Sequence, residues 1–329
     1  VYTSTTAHYA LDVVAFIPAG SDVGTVVPAR LLDTRLTGET VDGEFEGAGK
    51  IAGGTFVKVQ IAGRGNVPAD AVGVELNITA IQNEGRGFAT LYPCTAERPT
   101  ASTLNYTPGV NIANATPGAL NDQGEVCVYT FTTAHYALDV VAFIPAGSDV
   151  GTVVPARLLE TRSSGETVDG LFEGAGKVEG GTFAWVQIAG RGLVPVDAVG
   201  VELNITAIQN EGRGFATLYP CTAERPTAST LNYTPGVNIA NATTVALNSA
   251  GEVCVYSSTT AHYALDVVAY VPAGSDVCTI EPARLLDTRS NRPTIDDQFQ
   301  GAGKVQGGSF TKVQIAGRGG VPAGAVGVE

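Results

Sequence analysis

The octapeptide Pro28–Arg35 (PARLLDTR) returns as Pro155–Arg162 (PARLLETR) and again as Pro282–Arg289, with a step of 127 residues each time. Residues 1–127 and 128–254 align without a gap and differ at only 15 of 127 positions. No shorter period exists inside the unit, which argues against solenoids and propellers, whose repeats run to about 20–50 residues. A unit of this length is the size of a domain with its own core. Pro and Gly cluster in the segment PAGSDVGTVVPAR, and a cut after Gly20 divides the chain there. Residues 1–20 then carry the C-terminal strand of a preceding repeat, 21–147 and 148–274 are complete repeats, and 275–329 are the N-terminal part of a further one. The chain holds no Met and stops at Glu329, the counterpart of Glu75, inside a strand-like run. It therefore reads as a window onto a longer array. Linkers of about eight to ten residues, with Pro at each end, predict a stiff string of beads. Neighbours this alike are prone to misassembly, so their uniformity implies recent duplication or a need for identical units, as in a rod.

Within one repeat the apolar residues alternate with period two. Val72, Val74, Leu76 and Ile78 fall on one face of Ala71–Ile81, and Gly73, Glu75, Asn77 and Thr79 on the other. Phe56–Ile61, Gly87–Cys94, Glu125–Tyr129 and His135–Ile144 read as strands too, with shorter ones at Thr103–Tyr106 and Asn114–Leu120. Turn sequences such as Gly63-Arg64-Gly65, Pro108-Gly109 and Asp122-Gln123-Gly124 separate them. Only Ala29–Thr34 has the look of a helical turn. The expected fold class is all-β, a tandem of β-sandwich domains, Ig-like or jelly-roll-like.

Cys94 and Cys127 lie 33 residues apart, and Cys221 and Cys254 repeat that spacing. Two thiols without a nearby His do not complete a zinc site, so one disulfide per repeat is expected, in an oxidising, extracellular or cell-surface setting. Cys278 stands where the other repeats have Gly24 and Gly151. It is either a free thiol or a cross-link to another unit or chain.

A net charge of −13 with 19 Lys and Arg argues against a nucleic-acid partner, and no apolar run is long enough to span a membrane as a helix. No nucleophile, metalloprotease, phosphate-loop or dinucleotide motif occurs. His8, His135 and His262 each sit four residues before an Asp on the same strand face, roughly 13 Å away, too far for a base and its orienting acid. Neither an enzyme, a cofactor nor a metal is expected. Arg30, Asp33 and Arg35 form a charge cluster repeated as Arg157, Glu160 and Arg162 and as Arg284, Asp287 and Arg289. Asp gives way to Glu in the second copy, which a salt bridge tolerates better than a ligand site of fixed geometry. A structural ion-pair network is expected, with Asp12, Asp139 or Asp266 as further partner. Trp185, Leu171 and Leu193 replace Lys58, Glu44 and Asn66, three polar-to-apolar changes that mark a contact surface on the second repeat. Sequons stand at Asn77, Asn105, Asn114, Asn204, Asn232 and Asn241.

The strings PARLLDTR, VQIAGRGxVP, VGVELNITA, YPC, RPTASTLNY and ALDVVAF together resemble a tandem repeat of secreted bacterial proteins, of actinobacterial type. The resemblance spans essentially the whole repeat. It implies a β-rich surface or accessory module, secreted and non-catalytic, and names no ligand. Two functions follow as expectations. The first is a structural subunit of an extracellular filament, appendage or surface stalk, whose partners are copies of itself. The second is a carbohydrate-binding or adhesive module for surface glycans, with Tyr92, Tyr106, Tyr219 and Tyr233 as its aromatic platform.

Overall fold

Alternating side chains need two apolar faces laid against each other, and each repeat supplies both. The computed structural model describes every residue except 95, 96, 222 and 223, and all regular secondary structure among the described residues is β. In the first repeat an inner sheet has the order Gly24–Asp33, His135–Pro145, Ala71–Ile81, Ile112–Ala119. An outer sheet has the order Thr55–Gln60, Glu125–Thr130, Gly87–Tyr92, Leu104–Tyr106. Every pairing in both sheets is antiparallel. Leu31, Val59, Leu76, Ile78, Leu104, Val128 and Leu138 fill the space between them. The second repeat reproduces this sandwich strand for strand.

The segment Ala29–Thr34 is not helical. Gly24–Asp33 is a strand whose pairing with His135–Pro145 is broken by a bulge between Thr25 and Ala29. Pro28 falls inside that break, where its missing N–H forfeits no ladder bond. Leu31, Leu32 and Asp33 are all buried. Val72 also departs from its expected face: it is exposed at the start of its strand, before the sandwich closes over Val74.

The third sandwich is assembled from both terminal segments. Ala10–Ile17 pairs with Cys278–Asp287, and Gly327–Val328 adds on its other side. Tyr2–Thr3 pairs with Ser309–Phe310. The pairs Thr279↔Ala15, Ala283↔Val13, Arg284↔Asp12 and Asp287↔Ala10 match Thr25↔Ala142, Ala29↔Val140, Arg30↔Asp139 and Asp33↔Ala137 of the first repeat, both bulges included. Val13 and Phe16 thereby enter a small core with Ala283, Leu285 and Val321.

The repeats do not form an extended string of beads. The edge strand Ile112–Ala119 of the first packs on the inner sheet of the second, at Gly151–Glu160 and His262–Val271. Ile239–Ala246 of the second packs on Cys278–Asp287 and Ala10–Ile17 in the same way. The third returns to the first: Gly73, Gly200 and Gly327 face Thr152, Thr279 and Thr25 in turn, closing the three around a pseudo-threefold axis. A Cβ at Gly200 would lie 2.5 Å from the Thr279 methyl, so only glycine permits this approach. The linker cannot act as a rigid spacer because Asn204 on the polar face of the second inner sheet bonds to the first repeat, and Glu329 of the third bonds to the second.

Candidate functional site at the repeat junctions

Because successive strand residues point to opposite faces, Glu75, Asn77 and Thr79 and their copies point away from the sandwich core. In the first repeat these three are half-buried; in the second Glu202, Asn204 and Thr206 are buried under the first repeat. Asn114 Nδ2 donates to Asn204 Oδ1 at 3.0 Å, and Asn114 Oδ1 accepts from the Ala242 N–H at 3.0 Å. Asn204 Nδ2 donates to the Ser102 carbonyl, and the Ser102 N–H donates to Asp266 at 3.3 Å. The sequons at Asn114 and Asn204 are therefore closed to a glycan while the junction holds.

The predicted charge cluster lies beside this interface. Arg157 forks onto Asp266 at 2.8 and 3.0 Å and reaches Glu160 at 3.0 Å, while Arg162 forks onto Glu160. The first repeat has the same geometry with Arg30, Asp139, Asp33 and Arg35, and the third with Arg284, Asp12, Asp287 and Arg289. Burial pushes the Asp287 carboxyl up, but the Arg289 and Arg284 guanidiniums outweigh it and hold it at about 2. Each histidine ring is tied to a threonine hydroxyl: His8 to Thr288, His135 to Thr34 and His262 to Thr161.

Cys94 is bonded to Cys127 and Cys221 to Cys254, on the outer sheets. Cys278 has a free thiol that packs on the Phe16 core. In the first two repeats its place is Gly24 or Gly151, because the Phe143 or Tyr270 ring fills the space a side chain would take. Leu171, Trp185 and Leu193 are all exposed, with Trp185 edge-on against Phe172 at 5.2 Å. The proposed aromatic platform fails. Tyr92, Tyr106, Tyr219 and Tyr233 are all buried; the Tyr106 and Tyr233 rings pack inside the sandwich, where they bond hydroxyls.

Sequence reasoning missed two groups on the pseudo-threefold axis. Asp22, Asp149 and Asp276 bring their carboxylates within 4.8 Å of one another, each accepting from a serine of the next linker. They are mostly exposed, and their only signal in the sequence is threefold recurrence. The second group lines a cavity of about 360 Å³ bounded by Val23, Val150, Val277 and by Glu75, Glu202 and Glu329. Among the described residues no cationic side chain lines this cavity, and Tyr270 is the one other titratable side chain. Burial pushes Glu75 and Glu202 well above the usual carboxylate range, and the charge of Glu329 adds to it. Thr244 Oγ1 lies within bonding distance of both Glu202 Oε2 and Glu329 Oε2. A hydroxyl has one proton to give, so this contact favours a protonated carboxyl that donates in return.

The sign of the resulting pH dependence follows from linkage. A carboxyl whose folded pKa is raised favours the folded state below its ordinary value of 4.5, and that advantage fades as pH rises. Glu202→Gln mimics the protonated form. The variant is expected to melt with the wild type below pH about 4 and above it at neutral pH, the gap widening with pH. Thermal melts of both proteins across that range check this; parallel curves would remove the buried-acid account.

No protein family and no curated protein matches the chain. No helix among the described residues is long and apolar enough to cross a membrane. Among solved structures the chain is similar to the N-terminal CBM22-1–CBM22-2 tandem domain from Paenibacillus barcinonensis Xyn10C, with 12% identity, a TM-score of 0.20, and coverage of 77% of this chain and 99% of that one. At so low a TM-score the likeness carries no weight for function.

Proposed function

We propose that this chain is a non-catalytic structural building block of an extracellular assembly, joined to further copies of itself through its repeats. One observation carries the reading. The strand Ala10–Ile17 completes the sheet of Cys278–Asp287 in the register used inside each repeat, although 272 residues separate Asp12 from Arg284. A repeat therefore takes up a strand that reaches it from far along the chain. The same strand from another copy would present identical side chains to the identical groove, and strand addition of this kind joins proteins through main-chain hydrogen bonds. Leu171, Trp185 and Leu193 give the second repeat an apolar surface for a lateral copy. The disulfides suit an oxidising compartment and support the reading of a secreted protein.

The free thiol provides the test. Phe16 and Cys278 are directly opposed on one face of the antiparallel pair, where Cα atoms lie about 4.5–5.5 Å apart, within the span that a disulfide bridges. Oxidised Phe16→Cys is expected to run as a covalent ladder of multimers at high protein concentration and as a closed monomer when dilute. The Phe16→Cys, Cys278→Ser protein should show neither. A closed monomer at every concentration would mean that copies do not share strands, and the reading would fall.

A further inference from the structure

We infer that the junction between the first and second repeats is a binding cleft for a neutral sugar unit of a glycan. Two connected hollows of about 210 and 170 Å³ meet along Phe88, Asn105 and Asn238. Their walls come from both repeats: Ser102 and Asn105 from the first, and Arg162, Thr206 and Asn238 from the second. Neither repeat alone makes this cleft, and the 127-residue unit could not have revealed it.

The unsatisfied group points to a ligand. Thr206 is 3% exposed, lines the smaller hollow, and its Oγ1 has no hydrogen-bond partner. A buried hydroxyl without a partner is destabilising by roughly 1–3 kcal/mol, and native structures rarely leave one so. Around it stand groups only partly engaged. Asn105 uses its Nδ2 on Ser102 Oγ, leaving Oδ1 to accept. Asn238 uses its Oδ1 on the Gln209 N–H, leaving Nδ2 to donate. Arg162 spends Nε and Nη2 on Glu160, leaving Nη1. Phe88 supplies an aromatic wall, backed by Phe131 stacked on it at 5.2 Å.

Charge then selects the ligand class. Of the cations on the cleft, Arg157 and Arg162 are matched by the carboxylates of Asp266 and Glu160, which already hold them in forked ion pairs, and Arg86 at the mouth of the larger hollow donates to the Gly236 carbonyl. An anion would have to compete with those carboxylates, and a cation would meet two guanidiniums. What remains is an alternation of donors and acceptors beside an aromatic face. A sugar ring fits that pattern, since its hydroxyls both give and accept and its C–H face packs on an aromatic ring.

Saturation-transfer NMR on the full chain tests this with cellobiose, maltose, mannobiose and xylobiose, and with glucuronic acid as an anionic control. At least one neutral disaccharide should receive saturation, at an affinity in the millimolar range or tighter. Thr206→Val, which keeps the shape and removes the hydroxyl, should weaken that binding roughly tenfold. It should also raise the melting temperature, because the unpartnered group is gone. Phe88→Ala should weaken the same sugar at least as much. Silence from every neutral disaccharide would show that the cleft holds water only. Binding undiminished in both variants, or a preference for glucuronic acid, would equally overturn the assignment. None of these outcomes bears on strand sharing between copies, so the two readings stand or fall separately.

Discussion

Replacing Asp266 with alanine is expected to destabilise the protein by about 3–5 kcal/mol, whereas Asp139→Ala, the same substitution one repeat earlier, should amount to about 1 kcal/mol or less. Both aspartates face an arginine through the same fork at the same distances. Their sequence surroundings are also the same, ALDVVA in each case. What differs is cover. The first repeat lies over Arg157 and Asp266, whose side chains are 9% and 1% exposed, while Arg30 and Asp139 keep 35% and 18%. Removing Asp266 strands a guanidinium away from water with only Glu160 to answer it, and also orphans the Ser102 N–H. Removing Asp139 leaves Arg30 free to turn toward solvent, and Asp33 still holds it. Denaturant unfolding of the two variants side by side gives the comparison. Equal losses would mean that the junction does not bury the pair, and the packing of repeat on repeat would be wrong.

That contrast also marks where sequence reading stops. The sandwich was legible because its signals are local. Val74, Leu76, Ile78 and Ala80 announce a buried face by alternation, and the PARLLDTR cluster announces ion pairs by composition. Two local readings failed for identifiable reasons. Ala29–Thr34 packs three consecutive non-alternating residues, Leu31, Leu32 and Asp33, into one buried stretch, because a bulge around Pro28 re-aims the chain. Tyr106 was expected in a surface platform, yet its hydroxyl is satisfied by Thr130 inside the sandwich, so the ring went to the core. The junctions were not legible at all. Nothing in the sequence tells Glu75 from Glu202, or Thr79 from Thr206, since each pair sits in identical surroundings. Their roles are set by which repeat lies over which. The recurrence of Gly73, Gly200 and Gly327 at the same place in a strand-like run was the one available hint, as a glycine in a strand often marks a close approach.

The second large effect concerns the staples. Replacing Cys94 and Cys127 together with serine should lower the stability of the first repeat by roughly 3–4 kcal/mol, and Cys221 with Cys254 should do the same for the second. Each disulfide closes a loop spanning 33 residues and ties the end of one outer strand to the strand beside it, where Tyr92 is opposed to Cys127. Those strands are paired by their own ladder, so the bond adds little to the native contacts. Its contribution lies chiefly in the unfolded chain, which loses the freedom to separate the two ends. The third sandwich, built from residues 1–17 and 278–329, has no staple and the smallest of the three cores. It also depends on a strand that can leave without breaking any covalent bond. Hydrogen exchange should therefore show its strands Ala10–Ile17 and Cys278–Asp287 opening first in the native protein, with the first two repeats protected together. Reduction with a thiol should bring the first two repeats down toward the third while leaving the exchange of Ala10–Ile17 nearly unchanged. If reduction instead shifted all three equally, the sandwiches would unfold as one cooperative body, and the terminal strand would not be the mobile part that sharing between copies requires.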